Sequence, residues 1–421
     1  MSSLLTVADI LRELVAIPTP SSISNLPLLQ WVQRFLEPRG WRVKLLPYID
    51  PSGVEKANLL AWPGSAELGN RVDLAFVCHT DTVPYAVDWA GALSLDERDG
   101  CLHGCGSCDV KGALACFLAA IARVSADRPD GLGSPAPTSQ RRDVGHPVGF
   151  GSIALILTAD EEIGCKGMER LLVSTQLHIG SAIVSEPTSL HAGIAGKGYG
   201  LARITVEGRE AHSAFPQQGV SAISIAARLI VRIEDGFAAK ARSATADSLF
   251  DPPQTTLNIG VIEGGTAKNI VPGQCSFLVE WRAIPSEDPN TTLDRLRVFV
   301  HEAQAAEPRV SVQLEALRAE PGFAPANSGP LQLRLKDLLA TESIGISFGS
   351  EASRVARNAG EVIVIGPGDM RTAHSDRECV PVVELERWTN VLVDLIRNAC
   401  DSQVSESRPG APTSSEISVQ S

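Results

Sequence analysis

The stretch DLAFVCHTD, residues 73–81, sets the reading of the whole chain. Five apolar residues, Leu74 to Cys78, run without a polar break and stop at His79, with Asp81 two positions on. A strand wetted on one face alternates apolar and polar side chains, whereas an unbroken run suits a strand covered on both faces. The same design recurs in SIALILT (152–158), which stops just before Glu161-Glu162, and in SAIVS (181–185), which stops at Glu186. EVIVIGPG (361–368) is a fourth such strand and leads into His374. Between the first two lies VKGALACFLAAIARV (110–124), which reads as a buried helix. Strands of this kind alternating with helices predict an α/β domain in three layers with a mostly parallel sheet.

Near residue 196 the pattern changes. GLARITVEG (200–208) alternates as a half-exposed strand does, and VSAISIAARLIVRIE (220–234) is helical. Strands at 255–264 and 275–284, a helix at 292–305 and a strand at 309–317 complete a β-α-β-β-α-β order, the ferredoxin-like split unit. The expected organisation is therefore a discontinuous α/β domain, 1–195 and 319–401, with an inserted α+β domain at 196–318. Residues 127–150, rich in Pro, Gly and Arg, read as a surface loop, and the polar tail 402–421 as disordered.

The chain has 421 residues, 44% apolar and 20% charged, with a net charge of −12. That is an ordinary soluble composition, and the absence of a Lys/Arg cluster argues against nucleic acid or an anionic membrane as a partner. The N-terminus is an amphipathic helix interrupted by Asp9, Arg12 and Glu13, unlike a secretory leader, and no apolar window has the length of a membrane span. Nine cysteines, an odd number scattered through helices and strands, fit free thiols in a reducing cytoplasm.

His79-Thr80-Asp81, Glu161-Glu162, Glu186 and His374 each sit just past the C-terminal end of a predicted strand. In an open α/β sheet ligands gather at that edge. Asp109 opens the helix at 110–124 and can face the same edge. Taken singly, a His-x-Asp is commonly a cap and a Glu-Glu pair a wetted helix surface, but the placement recurs four times. Two histidines and several carboxylates suit a divalent ion such as zinc or cobalt. Five ligands exceed the needs of one tetrahedral ion, so two ions sharing a carboxylate are expected, with Asp109 as the bridge.

HTDTVP (79–84), GCGSCDVKG (104–112), TADEE (158–162), SEPT (185–188) and GPGDMRTAH (366–374), in this order, resemble the metal-dependent acylamino-acid deacylases and exopeptidases. That family includes acetylornithine deacetylase, succinyl-diaminopimelate desuccinylase, aminoacylase and carboxypeptidase G. The resemblance runs from about residue 5 to 400. It implies that His79 and Glu186 hold one zinc, Glu162 and His374 the other, and that Asp109 bridges them. It further implies Glu161 as general base, with the Asp81 carboxylate behind His79. The inserted domain resembles a lid and dimerisation domain, which implies a homodimer. EAHSAFP (210–216) then offers His212 to the oxyanion, GGTAKNIVP (264–272) offers Asn269 to the substrate, and EWRAIP (280–285) offers Arg282, whose planar fork suits a carboxylate.

Two departures stand out: Cys105 replaces the family's Arg in the turn before Asp109, and the 127–150 loop is longer. Cys101, Cys105 and Cys108 have a spacing that iron–sulfur sites also use, but such a site would set soft thiolates on the turn of a hard carboxylate and leave the other ligand candidates idle. The cysteines read instead as fillers of a tight buried turn. Residues 348–380 resemble the acetylornithine deacetylases most, and Glu351 could receive a cationic side chain. The expected reaction is removal of the acyl group from a small N-acyl amino acid, N-acetylornithine first. Other acylamino acids, a C-terminal peptide bond, or a non-catalytic binding role on the same fold are the alternatives.

Overall fold

The computed structural model describes residues 5–64, 67–127, 150–243, 246–325 and 328–406. The expected loop at 127–150 lies outside them except for Asp127 and Phe150, and so does the expected tail apart from residues 402–406. The chain forms two compact units, Met1–Leu190 with Gly366–Ser421, and His191–Ile365.

The first unit begins with helices α1 (Val7–Val15) and α2 (Leu26–Leu36). Thr6 caps α1 with its hydroxyl on the Asp9 N–H, and the Asp9 carboxylate returns a bond to the Thr6 N–H. Strands β1 (Trp41–Ile49) and β2 (Glu55–Pro63) form a hairpin, followed by β3 (Arg71–His79), β4 (Asp96–Arg98), β5 (Cys101–His103) and α3 (Lys111–Ala126). β6 (Ile153–Thr158), α4 (Lys166–Thr175) and β7 (His178–Val184) follow. The sheet order is β1-β2-β6-β3-β7; β3 runs parallel to both β6 and β7, and β2 joins β6 antiparallel. Every residue of β6 is buried, as in a strand covered on both faces. In register His79 lies opposite Thr158, and Val77 opposite Val184, so the three parallel strands end together.

The second unit contains β8 (Gly193–Gly196), β9 (Tyr199–Glu207), β10 (Ala211–His212), α5 (Ala222–Ser243), β11 (Thr256–Gly264), β12 (Ile270–Val271), β13 (Gln274–Arg282), α6 (Asn290–Ala306) and β14 (Ser311–Glu320). It continues through α7 (Pro330–Leu339), β15 (Ile344–Ile346), α8 (Ala352–Val355) and β16 (Ala359–Val364). An antiparallel sheet of order β11-β13-β9-β14 gives the split β-α-β-β-α-β unit its ferredoxin-like topology. Alternate residues of β9 and β13, such as Ile204, Val206, Phe277, Val279 and Trp281, pack with Leu229 and Ile233 of α5 and Leu296 of α6. Residues 319–365 group with this unit because β8 pairs with both β15 and β16.

The chain then re-enters the first unit through β17 (Cys379–Pro381) and α9 (Val382–Glu406). β17 pairs antiparallel with β5, which pairs with β4, and α3 packs against α1 and α9. Among the described residues no helix is long and apolar enough to cross a membrane.

Candidate metal centre

The common end of the parallel strands concentrates the chemistry. His79 is buried at the last position of β3, and its Nε2 lies 3.1 Å from Asp109 Oδ1. His374 Nε2 lies 3.1 Å from the other Asp109 oxygen, Oδ2, and 3.1 Å from Glu162 Oε1. Glu186 stands two residues beyond β7, also buried. Two triads result, His79–Asp109–Glu186 and Asp109–Glu162–His374, each with ligand atoms within 4.8 Å of one another, and Asp109 belongs to both.

Main-chain geometry presents these groups. His374 adopts a left-handed φ of 57°, a conformation that costs a non-glycine residue about 1–3 kcal/mol and so is kept only where its surroundings dictate it. Gly366 lets the chain pass the Glu186 backbone closely, since a Cβ there would lie 2.8 Å from the Glu186 carbonyl oxygen. The loop after β6 is pinned from three directions. Asn58 accepts from the Ala159 N–H at 3.2 Å and donates to the Gly167 carbonyl at 2.8 Å. The Asp160 carboxylate pairs with buried Lys56 and accepts from the Tyr48 hydroxyl at 2.8 Å. The Asp81 carboxylate accepts from the N–H groups of Glu161 and Glu162 at 3.1 and 3.3 Å and from the Ser21 hydroxyl at 2.7 Å.

Those three bonds change the role expected of Asp81. His79 Nδ1 meets the Asp81 main-chain carbonyl at 2.9 Å, while the carboxylate lies 3.8 Å away because it is turned toward the 161–162 amides. Asp81 thus orients the imidazole through its backbone, and its carboxylate fixes the loop of Glu161 and Glu162.

Electrostatics test whether a cation fits. Burial pushes the Glu186 carboxyl well above the carboxylate range, and repulsion from Asp109 and Glu161 adds to it. Against the burial that would raise it, hydrogen bonds from His374 and His79 hold the Asp109 carboxyl below that range. Crowded, buried carboxylates facing two imidazoles are the hard, mixed donor set of a divalent ion, and a cation among them would relieve the repulsion on Glu186. The cysteines contribute no donor. Burial raises the Cys105 thiol to about 11 and lifts Cys108 as well, and neither belongs to a triad.

Beside His374 opens a cleft of about 520 Å³, walled by Tyr85, Asp88, Trp89 and Asp376 among others. None of these four was suggested by the sequence. His212, Asn269, Arg282 and Glu351 belong to the second unit. His212 is exposed on β10, its Nδ1 accepting from the Ala214 N–H at 3.1 Å. The Asn269 carbonyl accepts from the Ser213 N–H at 2.9 Å, which ties the two segments together. Arg282 pairs with Glu280 at 2.9 Å and lies over the Tyr199 ring, and Glu351 is buried at the start of α8.

An α/β domain with this donor set at its strand ends, carrying a ferredoxin-like second unit, suits a metal-dependent hydrolase. Comparison with known proteins agrees. The peptidase family M20/M25/M40 matches at residues 75–133 and the peptidase dimerisation domain at 194–307. An acetylornithine deacetylase of Myxococcus xanthus is 38% identical over 93% of this chain and 96% of its own. Among solved structures, a Staphylococcus aureus tripeptidase superposes with a TM-score of 0.71 at 20% identity, covering 94% of this chain and 98% of its own. A Bacillus subtilis dinuclear metal binding peptidase gives 0.63 at 13% identity, covering 94% and 96%. The chain belongs to the M20/M25/M40 peptidase family.

Proposed function

We propose that this protein is a two-metal deacylase of N-acyl amino acids, with N-acetylornithine as its substrate. The observation that carries the reading is the membership of Asp109 in both triads. His79 and Glu186 would hold one ion, Glu162 and His374 the other, with Asp109 common to both. Zinc suits the histidine and carboxylate donors, and cobalt is the substitute. When bound, such ions supply positive charge to the scissile carbonyl and lower the pKa of water toward about 7.

The remaining work belongs to side chains. Glu161 takes the proton of the attacking water, then delivers it to the amide nitrogen as the C–N bond breaks, so that acetate and the free amine leave. His212 stabilises the developing oxyanion. Arg282 and Asn269 receive the amino-acid carboxylate end. Asp88 and Asp376 on the cleft beside His374 favour a cationic side chain. The name of the Myxococcus xanthus relative supports the same choice. The dimerisation-domain match supports a homodimer, and nine cysteines, an odd number scattered through helices and strands, support a reducing cytoplasm.

The test is a metal count joined to amine release from N-acetylornithine, N-acetylcitrulline, succinyl-diaminopimelate, N-acetylmethionine and a glutamate-terminal peptide. Two zinc ions per chain and fastest turnover of N-acetylornithine are expected. Fastest turnover of another substrate moves the protein elsewhere in the family, and no turnover of any amide rejects the catalytic reading.

A further inference from the structure

The turn that presents Asp109 is gripped by a carboxylate that neither the ligand set nor the reaction uses. β5 runs directly into residues 104–109, and β17 pairs with it so that Cys379 lies opposite His103. This register brings Glu378 to Gly104, whose N–H donates to the Glu378 carbonyl at 3.4 Å. The Glu378 side chain, 2% exposed, enters the turn. Its Oε1 accepts from the N–H groups of Cys108 and Asp109, both at 3.0 Å, and its Oε2 from the N–H of Gly106 at 3.0 Å. Convergent amides of this kind form an anion nest, and here the anion is supplied by the chain itself. Gly106 makes the nest possible with a φ of +76°, and a Cβ there would lie 3.0 Å from Thr82 Cγ2. Four residues before Glu378, the same segment carries His374, which meets Asp109 Oδ2.

We propose that Glu378 is a positioning residue for the shared carboxylate. By accepting from the Asp109 amide and two of its neighbours, it fixes the direction in which Asp109 offers one oxygen toward His79 and the other toward His374. The proposal rests on the reading of Asp109 as the ligand common to both ions. Glu378→Gln nearly preserves volume but replaces one acceptor oxygen by an NH₂ that faces an N–H donor. One amide of the turn then loses its partner, and the turn no longer has a single preferred aim. Partners behind metal ligands typically contribute roughly 10- to 100-fold in metal affinity.

The experiment titrates zinc into the metal-free wild type, Glu378→Gln, Asp109→Asn and the double variant, in competition with a chromophoric chelator. The expected result is a loss of roughly 10- to 100-fold for Glu378→Gln, with the double variant binding zinc no more weakly than Asp109→Asn alone. A general structural role would instead make the two losses add, and additive losses overturn the proposal. Wild-type affinity in Glu378→Gln beside weak binding in Asp109→Asn also overturns it, and leaves the shared-ligand reading standing. Wild-type affinity in Asp109→Asn overturns that reading and this proposal with it. If Glu378→Gln does not accumulate as folded protein, Glu378→Asp keeps the charge but withdraws it by one methylene, and the same comparison is read from it.

Discussion

Lys56 is the residue whose loss should reveal how firmly the loop of Glu161 and Glu162 is held. Its side chain is 1% exposed, and its ammonium bonds to the Asp160 carboxylate and the Ser21 carbonyl, with Asp50 Oδ2 at 3.6 Å. Lys56→Met keeps the apolar stem but leaves Asp160, also 1% exposed, as a buried charge with the Tyr48 hydroxyl beside it. Breaking one side of a buried pair costs about 3–5 kcal/mol, mostly the penalty of the stranded charge. At about 2–4 °C per kcal/mol for a unit of this size, the melting transition should fall by roughly 6–20 °C. Calorimetry of the metal-free protein reads this as a midpoint, because a chain of two units need not unfold in one step. Adding Asp160→Asn removes the stranded charge, and the double variant should recover most of the loss. A fall of less than about 3 °C in the single variant, or a double variant as unstable as the single, would mean that Lys56 does not compensate a buried Asp160 charge.

Four further outcomes are expected. Glu161→Gln should lower kcat by about 10²- to 10⁴-fold while zinc content stays at the wild-type level, which elemental analysis beside steady-state kinetics checks. Asp376→Asn should raise KM for N-acetylornithine and leave N-acetylmethionine unaffected, an effect that shrinks as salt is added. Gly200→Ala should destabilise the second unit by about 1–3 kcal/mol or more, since its Cβ would lie 1.8 Å from Trp281 Cε2, and urea unfolding followed by tryptophan fluorescence reads it. Burial raises the Cys116 thiol to about 12, so its thiol form persists across the neutral range. Iodoacetamide at pH 8 should therefore label Cys101 before Cys116, as peptide mass spectrometry would report.

What the sequence made legible follows from burial. β3 and β6 lie under cover on both faces, so their apolar runs are unbroken and their ends identify His79 and the Glu161-Glu162 loop. The β-α-β-β-α-β order from β9 to β14 was readable because β9 and β13 alternate and their connections follow a known order. The hairpin of β1 and β2 escaped: Lys44 and Pro47 blur the pattern of β1, although the turn sequence Asp50-Pro51-Ser52-Gly53 marks the reversal. β8, with the sequence GIAG, and the three residues of β15 carry too little apolar signal to be read as strands. Candidate ligands at strand ends could be read one by one. Their supports, Ser21, Lys56, Asn58 and Glu378, are ordinary polar residues in the sequence, and only the fold brings them to Asp81, Asp160, Ala159 and the Asp109 turn. Asp81 shows the same limit, for the sequence indicates proximity to His79 but not whether its carbonyl or its carboxylate turns toward the ring.

Whether two ions share Asp109 is decided by calorimetric titration of zinc into the metal-free wild type and His374→Ala. Two ions per wild-type chain are expected, with one retained in the variant, held by the His79–Asp109–Glu186 triad. A single ion in the wild type, or two in His374→Ala with unchanged affinities, would contradict a shared Asp109.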